Sequence, residues 1–190
     1  MHRFARVVLG YHGCLEPLAT KLLGGKLDVF HWPSSENRWD WLGSGIYFWE
    51  HGPSRALRWA EDKARRSGGR PAVVGAVIQL GRCFDLADVT HTELLGKAYE
   101  QVTRFYRARG KRLPRNEGAD RERKKRELDC LMINWCLAIA QMNGVEYQTV
   151  RGVFLEGPPV YRGAMIRTES HIQIAVRDPS CILGVFRPTL

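Results

Sequence analysis

The chain has 190 residues, 44% of them hydrophobic, and carries 29 Lys and Arg against 20 Asp and Glu for a net charge of +9. One domain of this size can remove roughly 70% of its unfolded surface from water, so no disulfide is needed to hold it. Five cysteines (Cys14, Cys83, Cys130, Cys136 and Cys181), an odd number with no CxxC pair, argue against a secreted disulfide scaffold and a structural zinc knot, and point to reduced thiols in the cytoplasm. No apolar run approaches the roughly 20 residues of a membrane span, and the first ten residues are too weakly apolar for a signal peptide.

In chain order, Phe4 to Leu9 reads as a short strand and Gly10-Tyr11-His12-Gly13 as a turn, which places His12 at a strand end before a helix running to about Leu23. His31 to Trp41 holds three of the six tryptophans among Pro, Ser, Asn and Asp, the pattern of an irregular loop with aromatic anchors. A strand over Gly45 to Trp49 follows a Gly-Ser-Gly turn. Pro53 then opens a helix whose inward face is Ala56, Trp59, Ala60 and Lys63 or Ala64. Pro71 to Leu80 is almost wholly apolar and predicts a central strand.

Thr90 and Glu93 have capping-box spacing, ahead of a helix with Leu94, Leu95, Ala98, Tyr99, Val102, Phe105 and Tyr106 on one face. Residues 104 to 126 contain eleven basic and three acidic side chains, so eight of the nine net positive charges fall there. A second helix is predicted from about Ala119 to Met142, with Leu128, Met132, Trp135, Ile139 and Met142 inward. Strands over Gln148 to Leu155, His171 to Val176 and Ile182 to Phe186 complete a mixed α+β domain over residues 1–190, with a basic helical insertion at about 104–130.

HExxH, GxSxG, GxGxxG and P-loop signatures are all absent, as is an Asp-rich cluster, so no metal is expected. Four places remain where chemistry can sit. His12 stands next to Gly13, where the missing side chain lets a ligand approach the backbone. Tyr47 begins a strand behind a glycine-rich turn. His171 and Gln173 alternate onto one strand face that Glu169 joins if the strand starts early, and Glu156 stands at a strand end before a Gly-Pro-Pro loop.

Taken together, Tyr11-His12-Gly13, then Gly45-Ile46-Tyr47-Phe48 with Ser54 and Ala56 downstream, then Glu169-Ser170-His171-Ile172-Gln173-Ile174, resemble in order the His, Tyr and Glu segments of PARP-like (diphtheria-toxin-like) ADP-ribosyltransferases. The resemblance runs from about residue 5 to 187 and leaves the charged middle uncovered. It implies two antiparallel sheets split around an NAD cleft, with peripheral helices. In that cleft His12 would bond the adenosine-side ribose, Gly13 the nicotinamide amide, and Tyr47 would stack on the nicotinamide ring, with Ser54 close by. His171 stands where the family has its catalytic glutamate. Glu156, first, and Glu169, second, are the acids able to replace it.

The implied activity is mono-ADP-ribosyl transfer from NAD to a macromolecule. The concentrated charge favours single-stranded RNA or DNA as acceptor, bound through Arg104, Arg107, Arg112, Arg123, Lys124 and Lys125. An acidic protein, as acceptor or as neutralising partner, fits the same surface, and no membrane partner is expected. The competing readings are an NAD glycohydrolase, with water as acceptor, and a nucleic-acid-binding module with a vestigial NAD cleft.

Overall fold

The computed structural model describes residues 6–118 and 124–190. Phe4, Arg121 and Arg123 lie outside the described residues. The elements, in order, are β1 (Val7–Leu15), α1 (Glu16–Leu23), β2 (Ile46–Glu50), α2 (Pro53–Ser67), β3 (Pro71–Gln79), β4 (Cys83–Asp85), α3 (Val89–Ala108), β5 (Asn116–Glu117), β6 (Lys125–Arg126), α4 (Glu127–Met142), β7 (Thr149–Phe154), β8 (His171–Val176) and β9 (Ile182–Phe186). The fold is mixed α+β, with a seven-stranded sheet ordered β4-β7-β8-β2-β1-β3-β9.

This differs from the expected pair of antiparallel sheets in two respects. β4 runs parallel to β7, and the two halves form one sheet, joined where β1 meets β2 at Gly10 opposite Glu50 and Tyr11 opposite Trp49. That junction is narrow, since β1 pairs with β3 from Val7 to Leu15 and β2 pairs with β8 from Ile46 to Trp49. We call it the seam.

One face of the sheet buries Val8, Cys14, Phe48, Ile78 and Ile174 with α1 and Trp32. The other is covered in two places: α2 packs Ala56 on Trp49 and Val73, and α4 packs Ile133 and Leu137 on Phe84, Val150 and Ala175.

Gly10 to Gly13 form part of a continuous strand, so His12 lies within β1 and not at a turn. The glycines serve close approach: a Cβ on Gly13 would stand 2.2 Å from the Ala56 carbonyl oxygen, and one on Gly10 2.5 Å from Ile78 Cδ1. The capping residue of α3 is Asp88, which accepts from the Thr90 amide at 2.9 Å, so Thr90 is already inside the helix. Helix α4 starts at Glu127, directly after β6; Ala119, the expected start, lies outside the described residues. Asn116, paired opposite Arg126, accepts from the Leu128 and Asp129 amides at 3.0 and 3.2 Å and fixes the start from outside the helix. Its buried face is Cys130, Met132, Ile133 and Leu137, whereas Ile139 and Met142 are exposed.

Candidate active site

Beyond Tyr11, β1 continues along β3 while β2 stays with β8, so the side of β1 that faced β2 has no register partner among the described residues. On that side the Leu9 carbonyl accepts from the His51 amide at 2.9 Å. Main-chain groups alternate along a strand, so the N–H and C=O of Gly13 point to the same side, into the gap.

The imidazole of His12 reaches over this gap, donating through Nδ1 to the Tyr47 carbonyl at 2.8 Å. Burial lowers its pKa to about 4, against the opposing effect of the carbonyl bond, so the ring is neutral and Nε2 is left as an acceptor. Trp32 and Phe48 flank the ring at 5.1 and 5.8 Å. Tyr47 points to the opposite face, against the Leu42, Phe84 and Val150 cluster. Its hydroxyl donates to the Gly43 carbonyl at 2.6 Å and accepts from the Leu42 amide at 2.8 Å. Burial pushes that phenol well above its ordinary range. His12 and Tyr47 therefore meet through a main-chain carbonyl, with their rings on opposite sides of the sheet.

The first turn of α2 connects the seam to a second constellation. Ala56 touches Gly13, and the preceding residue, Arg55, grips the acids: its guanidinium is 2.6 Å from Glu156 and 3.3 Å from Glu169. Lys124 Nζ holds the other Glu156 oxygen at 3.0 Å. Glu156 is only 4% exposed. Burial pulls its carboxyl pKa up, but hydrogen bonds from Arg55 and Lys124 outweigh that and hold it below the ordinary value.

His171, which opens β8, donates through Nδ1 to the Glu169 carbonyl at 2.7 Å and lies 3.7 Å from Glu156. Burial lowers its pKa, so it too is a neutral ring. Its Nε2 is buried with no hydrogen-bond partner among the described residues, as are Trp49 Nε1 and Arg55 Nε. Trp41 stacks on the imidazole at 6.1 Å and 27°, with Phe154 at 5.7 Å and Trp49 at 6.5 Å.

The structure thus brings Glu156, Glu169 and His171 together, places His12 and Gly13 at the seam, and leaves Ser54 exposed at the start of α2. Sequence reasoning missed Arg55 and Trp49, and reached Trp41 only as one of the aromatic anchors of the loop over residues 31–41. Arg55 sits two residues after the helix-opening Pro53, but its partner Glu156 is 101 positions away, and no local pattern signals that pairing.

On the basic surface, Arg104, Arg107, Arg112 and Lys125 are exposed, with Arg104 4.0 Å from Glu100. Lys124 is turned toward Glu156, and Arg123 lies outside the described residues. Tyr99 and Phe105, expected inward, are 46% and 37% exposed. Phe105 rests on Trp135 at 4.7 Å beneath the Arg109 guanidinium.

One cavity of about 420 Å³ lies between Ser44, Asn134, Gln141, Tyr147 and Arg177, and another of about 350 Å³ between α3 and α4, walled by Trp41, Tyr99, Arg126 and Phe154. Neither is lined by His12, Gly13 or Tyr47. Among the described residues no His, Cys, Asp and Glu group is arranged to hold a metal ion, and no helix is long and apolar enough to cross a membrane. Comparison with protein-family models, with curated proteins and with solved structures yields no match.

Proposed function

We propose that the protein is a mono-ADP-ribosyltransferase that moves ADP-ribose from NAD to a macromolecular acceptor, preferably single-stranded RNA or DNA. The observation that carries this reading is the convergence of two features on the first turn of α2: the open side of β1 at Gly13, against Ala56, and the acids held by Arg55.

In this reading the Gly13 amide and carbonyl offer the donor and acceptor pair that reads a carboxamide. His12 Nε2, aimed by the Nδ1 bond to Tyr47, accepts from a ribose hydroxyl. Cleavage of the C1′–N bond sends the electron pair out with nicotinamide and leaves positive charge at C1′, which an ionised carboxylate stabilises. Glu156, kept ionised by its cations, is assigned that role, with Glu169 as the second acid. The acceptor nucleophile then bonds C1′ and gives up its proton, for which neutral His171 is the nearest base.

Labelled NAD incubated with separate pools of RNA, DNA and protein tests the reading. Transfer to nucleic acid, with free nicotinamide, is expected. His12→Ala should lose much more activity than the surface control Glu93→Ala, and Glu156→Gln more than Glu169→Gln. Absence of both label transfer and nicotinamide release would leave the binding-module reading in its place. Nicotinamide release without any labelled macromolecule would identify a glycohydrolase.

A further inference from the structure

Glu156 has no room to do electrostatic work as it stands. Two cations already hold it, and the segment that brings one of them also covers the site. The Lys124 carbonyl accepts from Trp41 Nε1 at 2.9 Å, and the Arg126 guanidinium stacks on Trp41 at 3.9 Å and lies 5.0 Å from Phe154. Trp41 in turn faces His171 with ring centroids 6.1 Å apart and planes at 27°. Residues 124–126 and Trp41 therefore form one layer over Glu156 and His171, whose side chains are 5% and 4% exposed. The unpartnered Nε2 of His171 lies beneath that layer. A buried polar atom without a partner is costly, as expected where a site is completed only after its cover moves.

We infer that Lys124 to Arg126 is an inhibitory strap across the acid cluster, and that single-stranded nucleic acid bound to the adjoining basic surface lifts it. The inference rests on the transferase reading for its catalytic consequence, and on the geometry alone for the strap. Two observations point to a polyanion as the opener. The Lys124 side chain is 52% exposed while its partner Glu156 is 5% exposed, so a phosphate in solvent can take the ammonium without reaching the carboxylate. The strap is also tied to the basic stretch: Lys125 and Arg126 pair with Glu117 and Asn116, just after exposed Arg112 and Arg115. Phosphates gathered along that stretch therefore lie beside the ion pair they must break.

The test uses the full chain with and without a polyuridine oligonucleotide, in the wild type, Lys124→Met and Lys124→Arg. Two quantities are read: nicotinamide release from NAD, and modification of His171 by diethylpyrocarbonate, located by mass spectrometry. Polyuridine is expected to raise both by roughly tenfold in the wild type. Lys124→Met should reach the raised level without RNA, and Lys124→Arg should restore protection. Equal His171 reactivity in every arm, or a Lys124→Met protein as protected and as RNA-responsive as the wild type, would overturn the strap. Unmasking of His171 with no nicotinamide in any arm would support the strap and reject the transferase reading. Polyglutamate as effective as polyuridine would reject nucleic acid as the opener.

Discussion

The side chain of His12 donates to the main chain of Tyr47 at the place where the ladder between their strands has just ended. The imidazole takes over a main-chain acceptor that continued strand pairing would have served. Burial holds its pKa at about 4, below the ordinary 6.5, so the unfolded chain binds the proton more readily than the folded one. His12 therefore stabilises the fold above about pH 6.5, and that contribution is lost as pH falls toward 4. Urea unfolding at about pH 7 and pH 5 should show the wild type losing about 2 kcal/mol more than His12→Asn, which keeps a donor but cannot titrate in this range. Parallel pH curves for the two proteins would refute the assignment.

Gly13→Ala should be among the most destabilising single substitutions in the chain. The added Cβ meets a helix backbone oxygen at 2.2 Å, which cannot turn away as a side chain can. A loss of about 3 kcal/mol is expected from overpacking of this kind. Gly10→Ala, whose added Cβ would meet side-chain atoms, Ile78 Cδ1 at 2.5 Å and Phe48 Cβ at 2.9 Å, and no helix backbone, should cost less. Thermal unfolding of the two variants decides the order.

Tyr47 has separable ring and hydroxyl roles. Tyr47→Phe leaves the buried Leu42 amide without its acceptor and should cost about 2 kcal/mol. The ring packs against the Leu42, Phe84 and Val150 cluster on the face opposite His12, so it serves the core and does not reach the nicotinamide, and Tyr47→Ala should cost about 3 kcal/mol or more through the cavity it leaves. Chemical unfolding of both variants tests this, and equal losses would remove the ring from the core.

Arg55→Met leaves Glu156 and Glu169 close together with one of their cations gone. Removing one partner from a buried pair costs about 3 kcal/mol, chiefly through the charge left behind. Glu156→Gln in the same background removes that charge and should recover part of the loss. A double-mutant cycle by chemical unfolding gives the coupling; strictly additive losses would show that the two groups do not act as a pair.

Affinity for single-stranded RNA should fall steeply with salt. Replacing Arg104, Arg107 and Arg112 together with Ala should reduce the slope of log K against log salt by about 2, if each meets one phosphate. An unchanged slope would move the nucleic-acid contact elsewhere.

Elements whose pattern is self-contained were legible in the sequence. β8 and β9 begin and end as their apolar runs do, and α2 starts at its proline. The errors came where a distant partner decides. Gly10 and Gly13 read as turn residues, yet they are small because Phe48, Ile78 and α2 press against β1. The start of α4 is set by Asn116, a residue outside the helix. Glu156, Glu169 and His171 were each visible as candidates, but their common clasp, Arg55, is defined by pairings across 101 and more positions.

The seam also has a consequence for how the molecule bears load. The backbone passes between the two halves of the sheet on leaving β1, β2, β3 and β8, while few ladder bonds join the halves directly. Such a joint is held by covalent crossings and by side chains in place of ladder bonds: Val8, Cys14 and Ile78 of one half share a core with Phe48 and Ile174 of the other, and α2 lies across Trp49 and Val73. Its rigidity therefore comes from packing, and a cavity cut there would loosen the two halves together.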